Sequence, residues 1–150
     1  MQIQITPRTN QEDFPKQWVD FKDAKFQVAG VSRPAYQRAR ELFLEQRNLE
    51  RQGWVAITDQ TALKAELQQN EIVGRHLILN WAGVKDADSN DIPYSEETAS
   101  QFTTASDIAL ELASFIYDEA VRIQDEADEK KADALGKSEN STSSSTNTET

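Results

Sequence analysis

The stretch Asn80–Ala99, NWAGVKDADSNDIPYSEETA, contains the residues on which the predictions of fold and function depend. Asp86, Asp88 and Asn90 alternate with other residues, and Glu97 follows Asp86 by eleven positions. A twelve-residue calcium loop places its oxygen ligands at nearly this spacing. The stretch is therefore either a metal site or a polar turn that is rich in carboxylates.

The backbone requirements of a calcium loop are poorly met. Its sixth position, where the chain turns sharply, is normally glycine, but here it is Asp91. Pro93 at the eighth position has no N–H to donate. Because Asp, Ser and Asn are turn-forming residues, the sequence favours a hairpin-like turn over 82–94, and a calcium-binding module at 86–97 remains an alternative. The apolar anchors of this turn would be Trp81, Val84, Ile92 and Tyr94.

The composition excludes several classes of function. The formal net charge of -10 argues against nucleic-acid binding, which requires many cations to neutralise phosphates. The absence of cysteine excludes disulfides and a thiolate nucleophile. His76 is the single histidine, and the sequence contains no glycine-rich phosphate loop. We therefore expect no enzymatic activity, no cofactor and no metal.

The sequence also predicts where the protein is found. No apolar run approaches the length of a membrane span, so no membrane partner is expected. Met1–Ile5 lacks the basic start and the apolar run of a signal peptide. We therefore expect a soluble protein that stays in the cytoplasm of the cell that makes it.

The pattern of apolar residues predicts a mainly α fold with a small β element near the N-terminus. Lys25–Val28 alternates polar and apolar residues, as a half-buried strand does, and Trp18 and Phe21 indicate a second extended piece. Ser32 is placed to cap a helix that runs from Pro34 to about Gln52. The apolar face of this helix comprises Ala35, Tyr36, Ala39, Leu42, Phe43 and Leu49. Gly53 is expected to end the helix in the left-handed conformation. The apolar run WVAI, 54–57, is predicted to follow as a strand or a buried connector.

Three further helices are predicted. Thr58 or Asp59 caps one that contains Leu63 and Leu67 and, after an interruption at Asn70, continues to Trp81. Ser95 caps a short helix. Ser106 or Thr104 caps a long final helix. The apolar stripe of the final helix comprises Ile108, Leu112, Phe115, Ile116 and Ile123, which form the core, a partner-binding face, or both if several copies share the face.

The chain divides into three predicted regions. Residues 1–17 are expected to form a flexible N-terminal arm, 18–134 a single mostly helical domain, and 135–150 a disordered tail rich in Ser and Thr. Five arginines accompany three glutamates over 33–51, whereas seven acidic residues accompany three basic ones over 118–133. These two segments could pair within or between molecules, or be separately solvated faces.

A short motif within Asn80–Ala99 resembles that of the tail assembly chaperones of long-tailed, siphovirus-type bacteriophages. The family pattern is approximately W-x-G-V-x-D, a polar turn, and then I/V-P-F/Y-S/T with acidic residues at the start of a helix. The matching residues are Trp81, Gly83, Val84, Asp86, Ile92, Pro93, Tyr94, Ser95, Glu96 and Glu97. Ala24–Arg40 is similar to the family's strand and first helix, and the resemblance covers about 20–125. Asp91 departs from the family, which often has glycine nearby, and this puts the turn type in doubt.

The resemblance implies a binding protein without catalysis. Tail assembly chaperones bind the long helical tape measure protein before the tail tube polymerises around it, and then leave. The expected partners are therefore the tape measure protein, further copies of this chain and, as a further candidate, the major tail tube protein. We expect the protein in the host cytoplasm and not in the mature virion. A small acidic phage structural or adaptor protein, including an imitator of nucleic acid, is the alternative.

Overall fold

The computed structural model describes the backbone of residues 1–4 and 13–147, and side chains as far as Gly136. Within these residues it contains four helices and one three-stranded sheet, which confirms the prediction of a mainly α fold with a small β element. In chain order the elements are β1 (Lys16–Phe21), β2 (Ala24–Ala29), α1 (Pro34–Gln52), α2 (Asp59–Leu77), β3 (Ile78–Ala82), α3 (Glu96–Thr104) and α4 (Ala109–Asn147).

The sheet is antiparallel, with β2 between β1 and β3. A tight turn joins β1 to β2, with Phe21 opposite Ala24 and Lys22 in the left-handed conformation at φ 54°. On the other side of β2, Phe26 lies opposite Trp81 of β3. The predicted strand at Lys25–Val28 and the extended piece at Trp18 and Phe21 are therefore confirmed.

The prediction that α2 is interrupted and continues to Trp81 was wrong. α2 runs without a break past Asn70 and ends at Leu77, and Ile78 takes extended angles of φ -90° and ψ 119°. The spacing of Val73, Leu77 and Trp81 fits a helix, but the free edge of β2 pairs with this segment and draws it into a strand. Long-range pairing has overridden the local periodicity.

Three details at the ends of α1 also differ from the predictions. Arg33 rather than Ser32 is the N-cap residue, and no side chain caps this end. Gly53 has a right-handed φ of -79°, and Trp54 is the left-handed residue, at φ 59°. Residues 54–57 form an exposed loop and not a strand or buried connector, since 92% of Trp54 is accessible to solvent.

Side-chain caps begin α2 and α3, as predicted. The Thr58 hydroxyl accepts a hydrogen bond from the Thr61 amide at 3.2 Å, and the Thr61 hydroxyl accepts one from the Thr58 amide at 2.8 Å. Ser95 accepts from the Thr98 amide at 3.0 Å. Neither predicted cap of α4 is used. The Ser106 hydroxyl donates to the Phe102 carbonyl at 2.6 Å, and Thr104 is the last residue of α3, with its hydroxyl donating to the Ser100 carbonyl at 2.8 Å.

The core lies between the sheet and the inner face of α4, with α2 and α3 at its side. α2 and α3 approach closely because Gly74 has no side chain and Thr103 lies against it, donating its hydroxyl to the Asn70 carbonyl at 2.8 Å. The largest fully buried side chains are Val28, Leu77, Ile78, Thr103, Leu112, Ile116 and Ile123. α4 therefore contributes its apolar stripe to the core of its own molecule.

The predicted arm and tail lie partly outside the described residues, which omit 5–12, 148–150 and the side chains beyond Gly136. Lys16 and Gln17, placed in the arm, belong to β1, and the Pro15 carbonyl accepts from the Gly30 amide at 2.8 Å. The backbone of α4 continues to Asn147. Within the described part, no helix combines the length and apolar character needed to cross a bilayer.

Candidate partner-binding surfaces

The motif residues build a turn over 82–94, here called the motif turn, around a buried tryptophan. The Trp81 indole N–H donates to the Ile92 carbonyl at 2.7 Å. Its ring centroid lies 5.0 Å from that of Tyr94 and 4.8 Å from that of Phe102. These contacts attach the turn to β3 and α3, so the indole has a structural role.

Other motif residues support the same packing. The Tyr94 hydroxyl donates to the Ile78 carbonyl at 2.9 Å, and burial raises the pKa of this phenol, which keeps it a hydrogen-bond donor. The Ile92 amide donates to the Val84 carbonyl at 3.0 Å. Gly83 has a φ of 78°, which favours glycine. Pro93 is exposed between the two half-buried side chains of Ile92 and Tyr94.

Asp86 uses its carboxylate to hold the tip of the motif turn. One carboxylate oxygen accepts from the amides of Asp88 at 2.9 Å and Asn90 at 3.0 Å. The left-handed residue is Ser89, at φ 64°, and not Asp91. In the part of the chain that the structure describes, no three His, Cys, Asp or Glu residues are grouped so that they could hold a metal ion. This geometry supports the interpretation as a polar turn over the calcium module.

The apolar stripe of α4 faces inward. Leu112, Ile116 and Ile123 are fully buried, so they present no surface to a partner in this conformation. Ile108, at the start of the stripe, is half-buried and lines a groove of about 530 Å³ together with Phe21 and Phe102. Phe115 packs against Phe21 with ring centroids 4.8 Å apart.

A second apolar region is exposed on α1, α2 and the loop between them, where the sequence predicts apolar helix faces and a strand or buried connector. Tyr36 is the buried side chain of α1, whereas Leu42 is 68% exposed and Ile57 is 80% exposed. We call this region the α1–α2 surface. It comprises Leu42, Leu49, Trp54, Val55, Ile57, Leu63 and Leu67. The apolar run WVAI between two polar helices was the signal available in the sequence.

Shallow grooves follow the α1–α2 surface. One of about 290 Å³ lies between the two helices and is lined by Ala39, Leu42, Phe43 and Ile72. Another, of about 530 Å³, lies where Leu63 and Leu67 face the end of α3. Both are bordered by Gln68 and Glu71, so they lie side by side on α2. Such grooves suit the side chains of an amphipathic helix.

His76 borders the first of these grooves and is half-buried. Burial lowers the pKa of its imidazole, and the Arg33 guanidinium lowers it further, while Glu96 partly opposes the change. Arg33 donates to the His76 carbonyl at 2.6 Å, which fixes the two residues together. The imidazole is therefore neutral at physiological pH.

Comparison with known proteins identifies a family. The family model described as YdaY prophage protein matches residues 31–137, from just before α1 to within α4, including the α1–α2 surface and the motif turn. The comparisons with curated proteins and with solved structures gave no match. Because the family model covers more than half of the chain, the protein belongs to the YdaY prophage protein family and is phage-derived.

Proposed function

We propose that this protein is a bacteriophage tail assembly chaperone that binds the tape measure protein and keeps it soluble until the tail tube assembles around it. Membership of a prophage family supports a role in phage biology. The motif from Trp81 to Ser95 supplies the resemblance to tail assembly chaperones. The single observation that carries the proposal is the exposed α1–α2 surface.

The exposure of several large apolar side chains on α1, α2 and the loop between them needs an explanation. A contiguous apolar patch on a monomer marks an interaction site or a liability to aggregate. Leu42, Leu63 and Leu67 lie on adjoining grooves, where an amphipathic helix could bury its apolar side chains. The net charge of -10 would keep such a complex soluble.

The proposal extends to partners and location. Copies of the chain could cover the α1–α2 surface of one another when no client is present, which would give self-association. The major tail tube protein is a further candidate partner. The protein would act in the host cytoplasm without catalysis, cofactor or metal, and would be absent from the finished particle.

Co-expression tests the proposal. We expect the soluble fraction of the phage's own tape measure protein to rise when the wild-type chain is co-expressed. The variant Leu42→Ser/Leu67→Ser should lose this effect, and Leu110→Ser/Leu135→Ser, which changes two exposed leucines of α4, should retain it. An unchanged soluble fraction with the wild-type chain would contradict the proposal.

The acidic segment of α4 favours a second candidate. Asp125, Asp128, Glu129 and Asp133 are exposed, as an acidic structural or adaptor protein of a phage would require. Such a protein would remain in purified particles or bind a host protein through α4. Detection of the chain in particles would favour it over the chaperone.

A further inference from the structure

We infer that the loop between α1 and α2 inserts Trp54 into the groove lined by Phe21, Phe102 and Ile108 on a second copy of the chain, and that two such junctions close a dimer. We call this groove the motif groove, because the motif turn forms one of its walls. The inference deepens the self-association in the proposed function by naming the two surfaces that meet. Its basis is an exposed tryptophan in a backbone conformation that favours glycine, together with an open aromatic groove on the same chain.

The backbone at Trp54 is left-handed, at φ 59°, just beyond the end of α1. The Trp54 amide donates to the Arg51 carbonyl at 3.2 Å, and the Val55 amide donates to the Glu50 carbonyl at 3.0 Å. These two hydrogen bonds form a Schellman motif, whose left-handed position is usually occupied by glycine. A bulky residue is strained there, so the local structure alone would favour glycine over tryptophan.

Trp54 gains little packing within its own molecule to offset this strain. The residue is 92% exposed, and Ile57 in the same loop is 80% exposed. Tryptophan is one of the residues that most often contribute a large share of the binding energy at protein interfaces. A partner that covers the indole would explain why tryptophan occupies this position.

The motif groove offers the contacts that Trp54 lacks. It has a volume of about 530 Å³ and lies between the β1–β2 turn, the motif turn and the start of α4. The rings of Phe21, Phe26 and Phe102 line it, and Val84 and Ile92 of the motif turn complete an apolar wall. An inserted indole would meet these rings in the edge and offset contacts that aromatic pairs prefer.

The charges beside the loop complement those beside the motif groove. Two cations and one acid border the loop, and they form no ion pair within the described part of the chain: Arg47, Glu50 and Arg51. Two acids and one cation that are likewise unpaired among the described residues border the groove: Asp23, Lys85 and Asp107. The remaining cation of the groove, Lys22, pairs with Glu111 of its own chain at 3.3 Å. Each charge beside the loop therefore has an opposite charge available at the groove of a second copy.

The area that a stable interface needs favours two junctions over one. One inserted indole buries about 150–250 Å², whereas a specific interface buries about 1,200–2,000 Å² in total. A two-fold dimer doubles the contribution of a single loop, since each copy gives its loop and receives that of its partner.

The positions of the loop and the motif groove are compatible with this reciprocal arrangement. Both lie toward the end of α3. Leu63, in the α2 segment that follows the loop, faces Thr104 and Ala105 across a groove, and Phe102 and Ser106 line the motif groove.

Substitution of Trp54 by glycine tests the inference in the full chain. We expect Trp54→Gly to raise the Kd of the dimer by about 30-fold or more in sedimentation equilibrium, as the loss of an interface hot spot does. At concentrations where the wild type is monomeric, the same variant should have an unchanged or higher Tm, because glycine relieves the strained backbone. Leu110→Ser, at an exposed leucine of α4, is the control and should keep the wild-type Kd.

A mixing experiment identifies the motif groove as the site that receives Trp54. Val84→Glu places a carboxylate in the groove and should weaken the dimer while its loop stays intact. Trp54→Gly keeps its groove, so one copy of each variant can form a single loop-in-groove junction. We expect differently tagged copies of the two variants to associate with each other more strongly than either associates with itself. Circular dichroism establishes that each variant keeps its helices.

A wild-type chain that stays monomeric, or a dimer whose Kd is unchanged by Trp54→Gly, would overturn the inference. A mixture of the two variants that associates no better than each variant alone would also overturn it. If the chain holds the tape measure protein in solution without forming this dimer, only the inference fails. If the mixed dimer forms and the tape measure protein stays insoluble, the proposed function fails instead.

Discussion

Trp81 joins the motif turn to the core through one hydrogen bond and its ring contacts. We expect Trp81→Phe to lower the free energy of unfolding by about 1–2 kcal/mol, because the Ile92 carbonyl loses its donor and the smaller ring leaves space. Urea unfolding measures this change. Trp18→Phe, at a side chain that is 49% exposed, is the control and should change it by less than about 0.5 kcal/mol. Equal effects would contradict the structural role of the indole.

Gly74 sets the distance between α2 and α3. A Cβ at this position would lie 2.2 Å from the Thr103 hydroxyl oxygen and 2.6 Å from the Ala99 carbonyl oxygen. We therefore expect Gly74→Ala to destabilise the protein by about 1–3 kcal/mol, despite the better helix propensity of alanine. Calorimetry should show a lower Tm. Gly136→Ala in α4, where a Cβ meets nothing within 4 Å, should not lower it. A Tm unchanged by Gly74→Ala would show that the helices lie further apart.

We expect His76 to make the stability of the protein depend on pH. Because burial lowers its pKa in the folded state, the unfolded chain binds the proton more readily, near an ordinary pKa of about 6.5. The contribution of neutral His76 is thus present above about pH 6.5 and is lost as the pH falls through the folded pKa below it. We expect urea unfolding midpoints to fall between about pH 7 and pH 5, and His76→Gln to reduce that slope. An identical slope in the variant would contradict this assignment.

At the scale of elements, substitution of Asp86 in the motif turn distinguishes the polar-turn interpretation from the calcium alternative. Asp86→Ala removes the acceptor for two backbone amides and should cost about 1–2 kcal/mol, whereas Asp86→Asn keeps an acceptor and should cost less. Unfolding is measured with and without calcium at about 1 mM, which we expect to have no effect. A midpoint that rises with calcium in the wild type, but not in Asp86→Asn, would restore the metal site.

The predictable elements are those whose signals are local. Thr58 and Ser95 begin helices because their hydroxyls accept from amides three residues ahead, and the alternation over Lys25–Val28 gives a strand. β3 was missed because its strand conformation comes from pairing with β2, and Val73, Leu77 and Trp81 also fit one helical face. An isolated periodicity cannot distinguish these outcomes.

Apolar stripes are visible in a sequence, but the element that covers each stripe is not. The stripe of α4 is buried through Leu112, Ile116 and Ile123, whereas Leu42 and Leu49 of α1 remain exposed. Both sets have helical spacing. The difference arises because α4 crosses the sheet, α2 and α3, while α1 packs chiefly on α2. We therefore propose a partner surface on the hairpin of α1 and α2, in addition to the predicted face of α4.

At the scale of the whole molecule, charge and apolar surface are distributed unevenly. The acidic excess concentrates toward the end of α4, whereas the exposed side chains of Leu42, Leu63 and Leu67 line the grooves beside α1 and α2. This division suits a holdase, in which one region contacts an apolar client and another keeps the complex in solution. The phage family accounts for the origin of the chain, and the surface gives the proposal its physical basis.

An affinity pull-down of the tagged protein from infected cells, read by mass spectrometry beside a proteome of purified particles, tests the chaperone proposal most directly. The account predicts that the tape measure protein is enriched with the wild-type chain and lost with Leu42→Ser/Leu67→Ser, and that purified particles lack the chain. Recovery of the chain in particles, or a pull-down without the tape measure protein, would contradict it.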